Sequence, residues 1–187
     1  MRSHSEIERK FLVYEADLGN VPDLYLSEIY SVYVDPKDLD GLDGPELNNI
    51  HSFLTPNHRE IRVSRITSPE TIRFMLTVKA GGHEIRRGEA EQEISEELFY
   101  KIVKKYGKRH IEKSRFTFEY LRRIFELDVI KTPHNKGGDG ATIILEVELE
   151  NENQMFALPP FVLIEKEVTG NSKFYNHTLA QPLVRNR

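Results

Sequence analysis

The sequence predicts an α+β fold that is mainly antiparallel β-sheet, with a few flanking helices. Two observations predict it. At least six segments alternate apolar and polar residues with a period of two, the pattern of a strand with one face covered. Turn signals such as Ser68-Pro69-Glu70 and Gly81-Gly82 separate them. The third observation concerns function: the polar faces carry charges of both signs.

The first strand is expected over Ser5–Val13. Ile7, Arg9, Phe11 and Val13 point to one side, and Glu6, Glu8, Lys10 and Leu12 to the other. Tyr14–Pro22 reads as a loop or a helical turn. Tyr25–Asp35, rich in aromatic and β-branched residues, is the second strand. The segment from Pro36 to about Arg59 has Gly41, Gly44, Pro45 and Pro56 and reads as a long loop. Its His51 and His58 have no metal-ligand partner at close spacing and read as surface histidines.

Glu60–Ile66 is the third strand, with Glu60, Arg62 and Ser64 opposed to Ile61 and Val63. Thr71–Lys79 is the fourth, with Arg73, Met75, Thr77 and Lys79 opposed to Ile72, Phe74, Leu76 and Val78. Arg86–Ile94 is the fifth, with Arg87, Glu89, Glu91 and Glu93 on one face. Three acids on one face repel unless cations oppose them. Ser95 then suits an N-cap, followed by Glu96 and Glu97 in the first turn of a helix. Leu98, Phe99, Ile102 and Val103 make its buried stripe, and Gly107 suits the residue after its end.

Ile111–Tyr120 is the sixth strand, with Lys113, Arg115, Thr117 and Glu119 on one face. Arg122–Ile130 is the seventh, with Glu126 and Asp128 opposed to Phe125, Leu127 and Val129. Lys131–Gly140 is a loop. Thr142–Glu150 is the eighth, with Ile144, Glu146, Glu148 and Glu150 opposed to Ile143, Leu145, Val147 and Leu149. Asn151–Leu158 reads as a short helix before Pro159-Pro160, and Phe161–Val168 as a further strand. The tail from Thr169 carries Lys173 and Tyr175.

Composition narrows the classes. The chain has 187 residues, enough for one full core, and is read as a single domain over 1–187. A net charge of −4 gives no basic field for nucleic acid. The absence of cysteine excludes disulfides, thiolate metal sites and a cysteine nucleophile, and fits a reducing cytoplasm. No secretory h-region opens the chain, and no apolar run reaches the roughly 18 residues of a membrane span.

Sheets of this many strands curl or close, which removes exposed edges. If the charged faces point inward, they line a lumen with Glu6, Glu8, Lys10, Arg62, Lys79, Arg87, Glu89, Glu91, Lys113, Arg115, Asp128, Glu146 and Glu148. Enclosed charges must pair, stay solvated or bind something. Lys and Arg would hold a polyanion. Carboxylates would hold a hard divalent cation through oxygen. A metal–polyphosphate complex satisfies both.

Glu6-Ile7-Glu8-Arg9-Lys10 resembles the ExExK signature of the CYTH superfamily, the triphosphate tunnel metalloenzymes. Further motifs follow in that family's order: Thr77-x-Lys79, Arg87-x-Glu89-x-Glu91, Lys113-x-Arg115, Asp128, Glu146-x-Glu148, and Glu167-Val168-Thr169-Gly170 before Lys173-Phe174-Tyr175-Asn176. The resemblance implies a closed, eight-stranded antiparallel β-barrel that binds triphosphate with Mg²⁺ or Mn²⁺. It implies metal-binding carboxylates at Glu6, Glu8, Glu146 and Glu148, with Asp128 a further candidate. It implies phosphate ligands at Lys10, Arg62, Lys79, Arg87, Lys113 and Arg115. Glu89 and Glu91 would orient those cations or hold a second metal. Glu148 and Lys113 are the candidate catalytic residues; Lys113 is read first as a phosphate clamp, with water activation as its alternative.

The chain departs from the family pattern in two places. Ser64 stands where a second arginine is common, and Arg73 is expected to restore that charge. Lys173 stands for an arginine in the C-terminal segment, about 169–187. The expected activity is metal-dependent hydrolysis of a triphosphate, inorganic tripolyphosphate first and a nucleoside triphosphate second. The alternatives are a class IV-like adenylyl cyclase, a non-catalytic polyphosphate-binding module, and a structural domain with incidental charge. Apolar outer faces would suit a homodimer.

Overall fold

The computed structural model describes residues 2–35, 58–80, 86–131 and 141–183, with side chains for 7–35, 60–79, 88–131 and 141–183. The elements in chain order are β1 (Arg2–Ala16), β2 (Tyr25–Val34), β3 (His58–Thr67), β4 (Ile72–Ala80) and β5 (Arg86–Glu93). There follow α1 (Glu96–Tyr106), β6 (Arg109–Tyr120), β7 (Arg123–Ile130), β8 (Thr142–Glu148) and β9 (Val162–Glu167). A 3₁₀ turn at Ser172–Phe174, α2 (Asn176–Leu179) and β10 (Gln181–Pro182) complete the set. The fold is α+β and mostly antiparallel β, as the alternation predicts.

Every strand pairing among the described residues is antiparallel. From β1 the neighbours run β5, β4, β3, β2, β6, β7 and β8, and β8 pairs with β1 again. β1 is long enough to serve three partners: β5 along Arg2–Ile7, β8 along Glu8–Leu12 and β9 along Phe11–Ala16.

The pleat sends alternate residues to opposite faces. Val32, Val34, Ile61, Val63, Leu76 and Val78 face outward under α1 and pack with its Phe99 and Ile102. Burying those two helix residues contributes roughly 1.5–3 kcal/mol each. Ser95 caps α1 by accepting from Leu98 N. Ile7, Phe11, Phe125, Leu127, Leu145 and Val147 form a second outer cluster, with Phe156 and Phe161 packed against it. The interior face turns apolar at one end, where Tyr33, Ile111, Ile130 and Ile144 meet Ala180, Phe174 and Leu179. That cluster is a floor for the charged region described below.

Several expectations need correction. The first strand runs Arg2–Ala16, longer than Ser5–Val13. Residues 151–158 form no helix. Asn151 Oδ1 accepts from Asn153 N at 3.2 Å, and Gln154 Oε1 accepts from Glu150 N at 2.7 Å, so side chains take the bonds a helix would use. Phe156 is drawn against Phe11, at 6.1 Å between ring centroids. Gly107 has φ −54°, so it is not a left-handed cap. It is small because a Cβ there would meet Val103 O at 2.6 Å and Leu183 Cδ2 at 2.8 Å. Most of the loop expected at 36–59 lies outside the described residues, as do His51 and the side chain of His58; the backbone of 58–59 belongs to β3.

Candidate active site

The interior faces of the strands enclose a cavity of about 370 Å³. Glu8 and Lys10 reach it from β1, Arg62 from β3, Lys79 from β4 and Glu89 and Glu91 from β5. Arg115 comes from β6, Glu126 from β7, and Glu146 and Glu148 from β8. Alternation explains each placement: Arg62 lies between outward Ile61 and Val63, and Glu146 between outward Leu145 and Val147.

The cations and acids pair closely. Lys10 Nζ bonds Glu146 and lies 3.3 Å from Glu8 Oε1. Lys79 Nζ lies 2.6 Å from Glu89 Oε2. Arg115 donates to Asp128 through Nε at 2.7 Å and Nη2 at 2.8 Å, reaches Glu146 at 3.1 Å and pairs with Glu126. Lys113 pairs with Asp128, and both are buried. Arg62 is held most loosely, 3.8 Å from Glu60 Oε1. Its buried Nε has no hydrogen-bond partner among the described residues.

These contacts set the charge states. Burial alone would raise the Glu146 carboxyl, but Lys10, Arg115 and Lys113 hold it well below the usual carboxylate range. Asp128 is likewise lowered: burial raises it, and Arg115 and Lys113 outweigh that. Burial, reinforced by the Arg115 charge, lowers Lys113 to about 8 despite Asp128 and Glu146. Burial pulls Arg62 down, but Tyr33, Glu60 and Glu89 raise it further, so it stays charged.

Four expected residues with described side chains do not line this cavity: Arg73, Lys173, Asp128 and Lys113, the last buried against Asp128. Arg73 is half exposed, 3.2 Å from Glu93, and does not line the cavity. It shares a face with Thr77 but lies four residues, about 13 Å, farther along the strand. Lys173 is exposed on the 3₁₀ turn. Asp128 is 0% exposed and faces cations, which suits it to holding Lys113 and Arg115 rather than a metal. Glu6 and Arg87 are opposite each other in the β1–β5 register; their side chains lie outside the described residues.

Other residues at the site were not singled out from sequence. Glu126 shares the Asp128 face, so the period-two pattern already marks it. Asn176 lines the cavity from α2, which no periodicity in the strands announces. Glu60 meets His177 Nδ1 at 3.0 Å; burial would raise its carboxyl, and that bond with the Arg62 charge outweighs burial, leaving it lowered.

Whether the acids suit a metal rests on their donor chemistry. Glu8 and Glu148 are direct partners across β1 and β8, and both line the cavity. Glu148 makes no hydrogen bond or ion pair among the described residues. Hard carboxylate oxygens beside one another fit Mg²⁺ or Mn²⁺. No three such groups among the described residues already converge as a metal cluster, because Lys10 draws Glu8 and Glu146 to itself.

The class that fold and site define is an antiparallel sheet around a cavity of opposed cations and carboxylates. Two solved structures of NE1496, one of them described as an inorganic triphosphatase, share this architecture. They are 26% and 25% identical to this chain, with TM-scores of 0.53 and 0.54, covering 94% of this chain and 97% of theirs. PH1819 from Pyrococcus horikoshii OT3 shares the fold at 15% identity, with a TM-score of 0.51, over 79% of this chain and 80% of its own. No family profile and no curated protein sequence matches. These structural likenesses agree with the motif order, by which the chain resembles the CYTH superfamily.

Proposed function

We propose that this chain is a single-domain, divalent-metal-dependent triphosphate hydrolase whose ring of strand pairings forms a closed tunnel. One observation carries the reading: Lys10, Arg62, Lys79 and Arg115 face Glu8, Glu146 and Glu148 across a single cavity. The likeness to a protein described as an inorganic triphosphatase adds support. Lys10, Arg62, Lys79, Lys113 and Arg115 hold the phosphate chain by charge-assisted bonds, joined by Arg87. Glu8, Glu146 and Glu148, with Glu6, are the carboxylates for Mg²⁺ or Mn²⁺, which when bound would offset charge on the phosphate oxygens. Asp128 fixes Lys113 and Arg115 in place, and Glu89 fixes Lys79. A water attacks the terminal phosphorus, the bridging P–O bond breaks, and orthophosphate leaves the diphosphate.

The test is incubation with inorganic tripolyphosphate or ATP, each with Mg²⁺ and with Mn²⁺. Released orthophosphate is expected. Cyclic AMP with pyrophosphate would make it a cyclase, and tight binding without turnover a binding module. No helix among the described residues is long and apolar enough to cross a membrane. A cytoplasmic setting is part of the same proposal.

A further inference from the structure

Glu60 is a largely buried carboxylate that the proposed reaction leaves unused, and it does not line the cavity. Two groups from different elements reach it. His177 on α2 meets its Oε2 through Nδ1 at 3.0 Å, and Arg62 Nη1 lies 3.8 Å from its Oε1. The His177 bond and the Arg62 charge keep Glu60 ionised against burial. An ionised carboxylate only accepts, so Nδ1 carries the proton.

The two contacts differ in kind. At 3.0 Å the first is a hydrogen bond; at 3.8 Å the second is an ion pair without one. Other interior cations are held closer: Lys79 Nζ is 2.6 Å from Glu89, and Arg115 Nε is 2.7 Å from Asp128. Arg62 also keeps a buried Nε with no hydrogen-bond partner among the described residues. Its guanidinium therefore has donor capacity that Glu60, turned to His177, does not take up.

We propose that His177 is a positioning residue for phosphate binding: by engaging Glu60 it holds that carboxylate off Arg62 and leaves the guanidinium open to the phosphate chain. The inference rests on the phosphate-binding reading above. Without the imidazole, Glu60 loses a hydrogen-bond donor while largely buried, which is unfavourable. Arg62, already within ion-pair distance, supplies the replacement. Lys79 opposes Glu60 across β3 and β4, but Glu89 engages it. A closed Glu60–Arg62 pair competes with phosphate for the same donors.

His177 does this without carrying the fold. α2 is fixed by other groups: Arg109 donates to Thr178 O at 3.2 Å and to Ala180 O at 3.1 Å, and Leu179 and Ala180 pack in the apolar floor. The imidazole is half exposed, with the Tyr175 ring centroid 5.6 Å away.

The test measures Kd for tripolyphosphate by calorimetry, without divalent metal so that turnover does not interfere, in wild type, H177A, E60Q and the double variant. H177A is expected to raise Kd, and E60Q to abolish that rise, because a neutral amide at position 60 no longer competes as an anion. The Kd ratio of H177A to wild type should be at least about three times the ratio of E60Q/H177A to E60Q. A smaller factor overturns the inference, since a loss of α2 packing weakens both backgrounds equally. H177N keeps an N–H donor near the place of Nδ1 and is expected to bind within about twofold of wild type. A larger loss in H177N also overturns the inference, and that comparison decides alone if the Glu60 variants unfold. A wild type that binds tripolyphosphate without hydrolysing it defeats the hydrolase reading and leaves these ratios to decide the role of His177. A wild type that binds none defeats both.

Discussion

Lys113 and Asp128 meet as a buried ion pair on neighbouring strands, 4% and 0% exposed. They are not register partners: Asp128 lies opposite Arg115, and Lys113 opposite Ile130. One carboxylate therefore serves two interior cations. Removing the charge in D128N strands Lys113, while Arg115 keeps Glu126 and Glu146. The expected loss is about 3–5 kcal/mol, because an uncompensated buried charge costs far more than the pair contributes. At this chain length Tm should fall by at least about 6 °C. A Tm within about 1 °C of wild type by calorimetry would show that Asp128 does not anchor the pair.

The same lysine makes two pH predictions of opposite sign. Burial lowers Lys113 from the ordinary 10.5 to about 8. Between those values the unfolded chain holds a proton that the folded chain has released, so this group makes stability rise with pH from about 8 to 10.5. Below about 8 the burial penalty is fully present. As a phosphate clamp Lys113 must be charged, so kcat/KM for tripolyphosphate should fall above pH about 8. K113R should carry that fall to higher pH. A rate that instead rises through pH 8 and is lost in K113R assigns Lys113 to activating the water.

Period-two alternation was enough to assign Glu8, Lys10, Arg62, Lys79, Glu89, Arg115 and Glu146 to one enclosed face, because the pleat is a local geometric rule. Depth along the strand is not local. Arg73 has the right phase and lies beyond the cavity, beside Glu93. Nor does alternation say which strands are neighbours. β1 sits between β5 and β8, far apart in sequence, and only that placement brings Lys10 to Glu146. The segment after β8 misled for another reason: Asn151 and Gln154 bond to nearby backbone, and Phe156 joins the outer cluster. Asn176 reaches the cavity on a one-turn helix too short to show a period.

Gly107 offers a prediction about packing alone. Its φ is open to any residue, yet an added methyl would press on Val103 O, Leu183 Cδ2 and Val32 Cγ1, the last at 2.9 Å. The carbonyl belongs to the last turn of α1 and cannot retreat without losing its bond from Gly107 N, 3.1 Å long. G107A should therefore cost about 1–3 kcal/mol. Urea unfolding with an unchanged m-value and a lower midpoint is the expected result; an unchanged midpoint would mean that the end of α1 yields.

Two glutamates on one strand separate metal binding from tunnel structure. Glu146 holds Lys10 and Arg115, whereas Glu148 makes no ion pair among the described residues. E146Q weakens contacts to two interior cations and should lower Tm in metal-free buffer. E148Q removes a carboxylate that balances no described cation, so its metal-free Tm should stay within about 1 °C of wild type. If Glu148 is a metal ligand, the two variants diverge again on adding ligand. Wild type should gain Tm from Mg²⁺ with tripolyphosphate by mass action. In E148Q that gain should shrink, and kcat/KM should drop at least tenfold. A full Mg²⁺-dependent gain in E148Q would remove Glu148 from the metal set and leave it as an acid at the cavity wall with no ion pair among the described residues.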